Sequence, residues 1–470
     1  MYPGWVNKHK TAGTNISCIN GRYYLYEVGS VWNKEKKRAQ KITKQYLGRI
    51  TEDGLVPPKI KNNILTSPVT VKEYGAASVI TRLSDDILTK LRTHFPGQAE
   101  TIFTLAALRV IEPNPFKRAE QAYRYSYLSE TFTGLKLSGK DISILLKGLG
   151  EKRAQMVGFM REFIIGNEHI LFDGTSIISK SDKMGINRIG YNAHKEYEPQ
   201  INLLYAFACE TKTPVYYRIV PGNVKDVSAF RLSVIETGLS DITVVADKGF
   251  GSKANFELLD ENGIRYIVPL RRNNGMFDMS RLEKGNKSDL DGYFLFNGRP
   301  IWYYSSAGVI VYIDNDLKVE EEKDYILRME KQLEGYTKEG FIERQYKFGA
   351  IALRTNSDKP PKEIYYLYKE RREIEQSFDF FKNLLEQDKS YMQNEKSLEA
   401  WAFINHIALM LNYKLYNLLR VSELLSVYSV SNFIHHLKYI HKIKANSQWY
   451  VSEISAKTNK LLTGLGLHIT

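Results

Sequence analysis

Cysteine is scarce in this sequence, and a long apolar run is absent from it. The chain has two cysteines, Cys18 and Cys209, and neither belongs to a C-x-x-C or Cys/His cluster. We therefore expect neither a disulfide framework nor a structural zinc site. We expect the protein to reside in a reducing cytoplasm. The N-terminus lacks the apolar core of a signal peptide, and the apolar stretch AFINHIALML is broken by Asn405 and His406. That stretch is too short to span a bilayer, so we expect no membrane partner.

Acidic residues are fewer than basic ones. Lys and Arg number 66 against 53 Asp and Glu, which gives a net charge of +13. This excess favours a polyanionic partner, nucleic acid first, although a merely basic globular protein is the alternative. The glycine-rich fragment GFGS lacks the full dinucleotide or P-loop pattern, so it predicts no nucleotide site.

Hydrophobic periodicity changes along the first half of the chain. Residues 1–60 have β composition in RYYLYEVGSVW, followed by the basic run NKEKKRAQKITKQYLGRI, which either grips DNA or forms a solvated strand or helix face. Residues 70–165 carry apolar side chains at three- and four-residue spacing and predict a helical domain. Residues 166–272 predict three strands, then strand, helix and strand, which indicates an α/β or mixed sheet.

The second half of the chain contains three further segments. Residues 273–355 are strand-rich, with one charged helical piece around EEEKDYILRMEKQLEG. Residues 356–415 predict two helices. The first opens at NSDKPP, where Ser357 or Asp358 can cap it and Pro360 and Pro361 suit its first turn. Residues 416–470 form a basic tail that we expect to be helical.

The segment YKERREIEQSFDFFKNLLEQ predicts one amphipathic helix with two adjacent faces. One face is apolar and consists of Leu367, Ile374, Phe378, Phe381 and Leu385. The neighbouring face spans an arc of about 60° and presents Tyr368, Arg371, Glu375 and Lys382. Periodicity therefore singles out Glu375 as the carboxylate that shares a face with the cationic groups.

Two interpretations of this polar face stand side by side. The simpler one is a surface helix with an i,i+4 pair between Arg371 and Glu375, worth a few tenths of a kcal/mol. The other is a metal and phosphate site, in which the carboxylate holds a divalent ion and the cations bind an anionic backbone. Tyr368 and Lys382 lie ~21 Å apart along the helix axis at ~1.5 Å per residue. A polynucleotide strand can touch both ends, whereas a small phosphate ligand cannot.

Two aspartates follow apolar strand patterns and are candidate metal ligands. Asp173 ends or interrupts the apolar run ILFDGTS, and Asp247 ends VVADKGF, so both are expected near strand ends. Mg²⁺ prefers oxygen ligands and takes few carboxylates. Each aspartate alone also fits an ordinary turn signal. Together with a helix-borne glutamate, however, they indicate a three-carboxylate site.

At this point the sequence resembles a known family. The spacing Tyr368-x2-Arg371-x3-Glu375-x6-Lys382 matches the Y-R-E-K signature of bacterial insertion-sequence DDE transposases. The segments LFDGTS and VVADKGF are similar to those around the family's two aspartates, and Glu375 resembles its glutamate. Three further segments resemble the family: GYNAHKEYEPQINLLYAF, VPGNVKD and FGAIALRTN. The resemblance is strong over about 165 to 415 and weaker over the helical segment before it.

The resemblance implies an α/β fold with a ribonuclease H-like mixed sheet flanked by helices. Residues 166–272 and 356–415 would form this catalytic domain, and 273–355 a β-rich insertion between the second aspartate and the glutamate. Asp247 and Glu375 are far enough apart in the chain to leave room for that insertion. The helical segment 70–165 would be a candidate DNA-end-binding domain. The tail 416–470 would serve dimerisation or DNA contact, and residues 1–60 would be a small β-rich unit before both.

The resemblance also implies an activity. Asp173, Asp247 and Glu375 would hold two Mg²⁺ or Mn²⁺ ions for DNA cleavage, often through a DNA hairpin, and for strand transfer. The implied partners are double-stranded terminal inverted repeats and target DNA, bound by a homodimer on paired ends. The implied compartment is the bacterial cytoplasm, with the protein at the nucleoid when bound to DNA. The implied DNA-binding side chains are Tyr368, Arg371, Lys382 and, from the insertion segment PIWYYSS, Trp302 as an aromatic platform for a displaced base.

Two alternatives remain open at this stage. One is a ribonuclease H-like nuclease or resolvase that cuts DNA without strand transfer. The other is a DNA-binding protein derived from a transposase that has no activity. For Trp302, the alternative to the platform is a plain strand-core position.

Overall fold

The computed structural model of this chain describes most of its residues. The described residues are 2–34, 36–58, 69–166, 169–179, 181, 183–190, 198–223, 226–238, 242–370, 389–390 and 392–469. Their contacts separate two compact units, Met1–Val69 with Ala445–Ser447, and Thr70–Lys444 with Gln448–Thr470. Among the predicted site residues, Arg371, Glu375 and Lys382 lie outside the described residues.

The first unit is a four-stranded antiparallel sheet in the order β1-β2-β3-β4. Its elements are α1 (Gly4–Asn7), β1 (Thr14–Ile19), β2 (Arg22–Asn33), β3 (Arg38–Thr51) and β4 (Gly54–Val56). A small core lies at one end of the sheet and consists of Val6, Ile16, Leu25 and Ile50. The basic run therefore forms a strand, β3, and the alternative of a helix for it is wrong. Tyr, Val and Trp in β2 favour strand, and pairing with β2 overrides the weak helix preference of Lys, Gln and Ala in β3.

The second unit begins with a short strand and a helical layer, as the periodicity predicted. Its elements are β5 (Thr70–Glu73), α2 (Gly75–Leu83), α3 (Asp85–His94), α4 (Ala99–Ile111), α5 (Ala119–Tyr125), α6 (Leu128–Thr131), α7 (Gly139–Gly150) and α8 (Arg153–Arg161), with a 3₁₀ turn at Phe116–Arg118. Helix α4 is buried on nearly all sides, which its largely apolar sequence explains. The layer packs against a later helix, α15 (Glu395–Val421).

A large mixed sheet follows, as the α/β prediction required. Its first strands and helices are β6 (His169–Ser179), β7 (Arg188–Ile189), β8 (Pro199–Ala208), β9 (Thr213–Pro221), α9 (Asp226–Thr237), β10 (Thr243–Ala246), α10 (Lys253–Glu261) and β11 (Arg265–Pro269). Strands β6, β8 and β9 pair antiparallel, whereas β10 pairs parallel with both β6 and β11. The central strands bury both faces and read as nearly continuous apolar runs, as a helix-covered sheet demands.

The predicted β-rich insertion joins this same sheet at its edge. It contains α11 (Ser280–Lys284), β12 (Gly292–Phe296), β13 (Arg299–Ser306), β14 (Val309–Asp314), α12 (Asn315–Glu330), α13 (Lys338–Arg344) and β15 (Ala350–Thr355), with 3₁₀ turns at Lys287–Asp289 and Gln345–Lys347. Strand β15 pairs antiparallel with β11, and β14, β13 and β12 follow outward. Residues 361–370 are helical and are called α14 here.

The C-terminal part is less helical than the sequence analysis expected. After a short strand β16 (Lys389–Ser390) and α15 come α16 (Val430–Lys438), β17 (His441–Ala445), β18 (Gln448–Val451) and α17 (Ala456–Gly464). Strands β17 and β18 form a three-stranded sheet with β5. Asn446 and Ser447 both have positive φ, 49° and 67°. Such a pair forms the tight turn that matches the twist of a hairpin.

Helix α15 is the centre of the second unit. Eighteen of its 27 residues are buried, including Asn405 and His406, the two residues that interrupt its apolar run. Asn405 is satisfied, since it accepts a hydrogen bond from Arg109 and donates one to the Trp401 carbonyl. Among the described residues, no helix is both long and apolar enough to cross a membrane.

His406 makes the stability of the fold sensitive to acid. Burial lowers the pKa of His406 to about 3, while a histidine in the unfolded chain takes up its proton near pH ~6.5. The unfolded state therefore binds more protons between these values, and stability falls as the pH drops through that window. Because of His406, we expect the free energy of unfolding to fall by about 2 kcal/mol from pH 7 to pH 5.

The variant His406→Leu should remove this part of the acid sensitivity. Urea unfolding of wild type and variant at pH 7 and pH 5 measures it. The stability lost between the two pH values should be smaller in the variant by the amount given above, whatever the variant's own stability at pH 7. An equal loss in both proteins would show that His406 is not responsible.

Candidate active site

Two predicted ligands, Asp173 and Asp247, lie side by side on neighbouring parallel strands. The register of β6 and β10 pairs Phe172 with Ala246, so each aspartate is the next residue beyond a paired position. Neighbouring strands lie ~4.8 Å apart. The fold therefore brings two carboxylates that are distant in the sequence to one level of the sheet.

Both aspartates are partly exposed. Asp247 lies where the chain turns after β10, and Asp173 lies where the pairing of β6 with β10 ends. The Asp247 carboxylate caps the 3₁₀ turn after β10 and accepts a hydrogen bond from the Lys248 amide at 2.6 Å. The Asp173 carboxylate accepts one from the Gly174 amide at 2.9 Å. Both bonds are made to Oδ1, so the backbone fixes the orientation of each carboxylate.

Asp173 does not end its strand, contrary to what the apolar pattern suggested. Strand β6 continues to Ser179, whereas its parallel neighbour β10 stops at Ala246. Beyond Asp173 the strand keeps its long pairing with β8, which carries it past the end of its parallel pairing with β10. The aspartate thus marks the end of a strand pair rather than the end of a strand.

Helix α14, which carries Tyr368, is anchored on the insertion by aromatic side chains. Tyr365 is fully buried, and its ring contacts Phe294, Phe296 and Tyr312. The Tyr365 hydroxyl donates to Asp314 at 3.1 Å, and the Tyr312 hydroxyl donates to the Pro361 carbonyl at 2.7 Å. We call these four aromatic side chains the aromatic clamp. Burial raises the pKa of Tyr365 and Tyr312 well above the usual range, so both stay protonated donors.

The start of α14 differs slightly from the expected cap. Pro361 is its first helical residue, and the Ile364 amide donates to the Pro360 carbonyl. Neither Ser357 nor Asp358 occupies the capping position. A proline at the first helical position needs no amide partner there, which is why Pro361 begins the helix.

A cavity of about 810 Å³ joins Asp247 to Tyr368. It lies at the ends of β10 and β11 and the start of β15, and its lining also includes Lys248, Arg271, Arg272, Glu321 and Lys369. Four cationic side chains against two carboxylates make this cavity suited to an anionic ligand.

The cations of this cavity differ in how they are held. Arg272 is fixed, since its guanidinium donates to both oxygens of Glu321 at 2.8 Å and to the Ala350 carbonyl. Lys248 and Arg271 are exposed at the cavity edge. Neither residue was predicted from the sequence. The signal was there, since Lys248 follows Asp247 directly and Arg271 follows β11 at the same edge of the sheet.

Trp302 lies on the other face of the insertion sheet. Side chains alternate along β13, and Ile301 pairs with Phe294 of the aromatic clamp, so Trp302 points away from α14. Its ring is half-buried, contacts Tyr293 at 5.0 Å and has the Lys287 ammonium 5.1 Å above it. The structure therefore does not bring Trp302 together with Tyr368.

The donor set at the sheet edge fits a hard divalent cation. Asp173 and Asp247 offer carboxylate oxygens, the ligands that Mg²⁺ and Mn²⁺ accept while keeping waters or phosphate oxygens. Within the part of the chain that the structure describes, no group of three or more His, Cys, Asp or Glu side chains is placed to hold a metal ion. The predicted third ligand, Glu375, falls outside it.

Comparisons with known proteins complete the description of the site. A family model described as the transposase DDE domain matches residues 165–411, more than half of the 470-residue chain. Among solved structures, the chain is similar to the cryo-EM structure of a piggyBac transposase synaptic complex with hairpin DNA. Identity is 11% and the TM-score 0.40, over 79% of this chain and 82% of that one. No curated protein matches the chain.

Proposed function

Because this chain belongs to the transposase DDE domain family and is an enzyme of DNA transposition, we propose that it mobilises a bacterial insertion sequence of the Y-R-E-K group. It binds the terminal inverted repeats of the element, cuts the strands there and joins the ends to target DNA. The observation that carries this proposal is the register that sets Asp173 and Asp247 at one level of the sheet.

The proposed catalytic residues are Asp173, Asp247 and Glu375. They would hold two Mg²⁺ or Mn²⁺ ions, which supply activation of a water or 3′-hydroxyl and stabilisation of the leaving oxygen. The contribution of the chain itself is positional. Backbone amides next to Asp173 and Asp247 hold one oxygen of each carboxylate, so both ligands are oriented before an ion arrives.

The cavity beside Asp247 is the proposed place for the scissile phosphate and its neighbours. Lys248 and Arg271 would contact phosphate oxygens there, and Tyr368 lines the same cavity. The sequence pattern predicts that Arg371 and Lys382 share a helix face with Tyr368, so they would add further phosphate contacts. Because the aromatic clamp fixes α14, the helix presents its side chains from a rigid support, which lowers the entropic cost of orienting DNA.

The remaining assignments are part of the same proposal. Residues 70–165 would bind the DNA end, and 416–470 would serve dimerisation or DNA contact. Both segments carry more basic than acidic side chains, which supports contact with a phosphate backbone. The enzyme would act as a homodimer on paired ends in the bacterial cytoplasm, at the nucleoid when bound.

A strand-transfer assay tests the proposal. The chain is incubated with Mg²⁺, a duplex that ends in the inverted repeat flanking its gene, and a supercoiled target plasmid. We expect cleavage at the repeat end and joining to the plasmid, both abolished by EDTA. Cleavage without joining would indicate a nuclease or resolvase. Binding without any metal-dependent cleavage would indicate a DNA-binding protein derived from a transposase.

Trp302 as a platform for a displaced base stays a prediction, supported by its partly exposed ring. Trp302→Ala should spare the first nick and impair a hairpin intermediate, since loss of a stacked base costs ~1–3 kcal/mol. Gel analysis of nicked and hairpin products measures this, with circular dichroism as the check on folding. Trp302→Phe should retain most hairpin formation, and Leu295→Ala, an exposed residue on the same face of the sheet, is the control. Equal loss of both products, or a melted protein, would make Trp302 a core residue.

A further inference from the structure

The far halves of β2 and β3 form a two-stranded ribbon that projects beyond the core of the first unit. Strand β1 pairs with β2 only up to Glu27, and a register shift separates Glu27 from Val28. Beyond it, residues 28–33 pair with residues 38–43, and no other described strand pairs with them. We call these two stretches, with the turn between them, the ribbon.

The ribbon buries almost nothing of its own. Every residue from 38 to 43 is exposed, on both faces of the strand. On β2, Val31 is 54% exposed and Trp32 63% exposed. An isolated two-stranded hairpin is marginally stable in water, and exposed large apolar side chains grouped with charges mark interaction sites. The ribbon therefore has the properties of a surface that is completed by a partner.

The charge of the ribbon identifies the chemistry of that partner. Its sequence, 28–43, holds five Lys or Arg and a single acid, Glu35, so it carries a net charge of +4 (5 − 1) in a chain whose total is +13. Lys36 and Lys37 lie in the turn and Lys41 on β3, and all three are exposed. Such a density of positive charge on a small, solvated element is complementary to a polyanion.

The pairing places aromatic and cationic side chains on one face. Trp32 is opposite Ala39, and Ser30 is opposite Lys41, so Trp32 and Lys41 are diagonal neighbours. A ribbon of these six residue pairs is ~20 Å long and two strands wide. The major groove of B-DNA is ~12 Å wide and ~8.5 Å deep and admits a two-stranded ribbon.

We propose that the ribbon inserts into the major groove of the transposon-end DNA, with its turn and β3 lysines on the flanking phosphates and Trp32 against the groove wall. This inference rests on the proposed function, because it names the element that holds the DNA end. Insertion into the groove requires the shape of the ribbon as well as its lysines, whereas a general attraction between surface charges requires the lysines alone.

Fluorescence anisotropy tests the proposal on the full chain in EDTA, where no chemistry occurs. The probe is a 40-bp duplex ending in the inverted repeat. The triple variant Lys36→Gln, Lys37→Gln, Lys41→Gln should bind on the order of 100-fold more weakly at ~0.1 M salt, and its log K against log[salt] slope should be smaller by about 2–3. Trp32→Ala should lower affinity with the slope unchanged, because it removes no phosphate contact.

A matched control removes three exposed lysines from the insertion, Lys323→Gln, Lys331→Gln and Lys338→Gln. It should keep both affinity and slope, since these lysines lie among acidic residues in and after α12 and at the start of α13. All six substituted lysines are exposed, so both triple variants should melt like wild type. Equal weakening in the two triple variants, or wild-type binding by the ribbon variant, would overturn the proposal.

Methylation interference distinguishes the grooves. Methylation of guanine N7, which faces the major groove, should weaken binding of wild type within the contacted repeat, and methylation of adenine N3, in the minor groove, should not. The reverse pattern would overturn the assignment of the groove. The two proposals can fail separately. If the strand-transfer assay fails but DNA binding still depends on the ribbon, the proposed function is refuted and the role of the ribbon in DNA binding is retained.

Discussion

Asp173→Asn or Asp247→Asn should abolish cleavage of transposon-end DNA and leave binding of that DNA close to wild type. The reason is that each substitution keeps the shape of the side chain but removes the negative charge that holds a divalent ion. We expect a loss of roughly 10³-fold or more in the cleavage rate, since the ions carry several kcal/mol of transition-state stabilisation. Binding persists because phosphate contacts, not the ions, supply most of the affinity.

Single-turnover cleavage and anisotropy, run on the same preparations, separate the two effects. Glu375→Gln should behave like the aspartate variants. Asp289→Asn, an exposed aspartate of the insertion, is the control and should cleave normally. Near-normal cleavage by any one of the three carboxylate variants would remove that residue from the site.

The second large effect concerns stability and a group of polar contacts around Arg153. The Arg153 guanidinium donates to Glu399 at 2.8 Å, to Glu236 at 2.7 Å and to the Tyr217 carbonyl at 2.8 Å. These residues come from α8, α15, α9 and β9, so one side chain ties the helical layer to the large sheet. The Tyr217 hydroxyl also donates to Glu399 at 2.8 Å, which adds a second donor to that carboxylate.

Arg153→Met should lower the free energy of unfolding by about 2–4 kcal/mol. Breaking a fully buried ion pair costs ~3–5 kcal/mol because it leaves a charge without compensation, and the smaller range applies since 23% of the Arg153 side chain is still exposed. Urea unfolding measures the loss. The double variant with Glu399→Gln should recover part of it, because it removes the charge left unpaired.

Arg92→Met provides the matched control. Its partner Glu100 lies at 2.8 Å, the same separation as between Arg153 and Glu399, but 51% of the Arg92 side chain is exposed. Exposed pairs contribute ~0–1 kcal/mol. Equal destabilisation by Arg92→Met and Arg153→Met would show that burial of the ion pair does not determine its contribution to stability.

Several features of the fold and site were accessible from the sequence because they depend on local patterns. The apolar runs around Asp173 and Asp247 predicted strands, and a proline pair predicted the start of α14. The register between those strands was not accessible, since it depends on pairing between segments that are distant in the chain. That register, rather than either motif, brings the two carboxylates together.

Other features depend on a choice that periodicity leaves open. The pattern of PIWYYSS predicts a strand but not which of its two faces meets α14, so the position of Trp302 relative to Tyr368 emerges only from the pairing of β12 with β13. The run that forms β3 has mixed propensity, and its partner β2 decides its structure. Lys248 and Arg271 meet in one cavity because β10 and β11 end at the same edge, which is a property of the sheet.

The pairing of β15 with β11 has a consequence for how this family member can evolve. Because the insertion continues the central sheet, it cannot be removed without leaving a strand of that sheet unpaired. A lineage that lost it would expose the outer edge of β11, where Tyr266, Ile267 and Val268 are buried now. An unprotected apolar edge recruits strands from other chains and aggregates. Shortening of the gene in this region would therefore be selected against through the solubility of the product, even in a copy that still bound DNA.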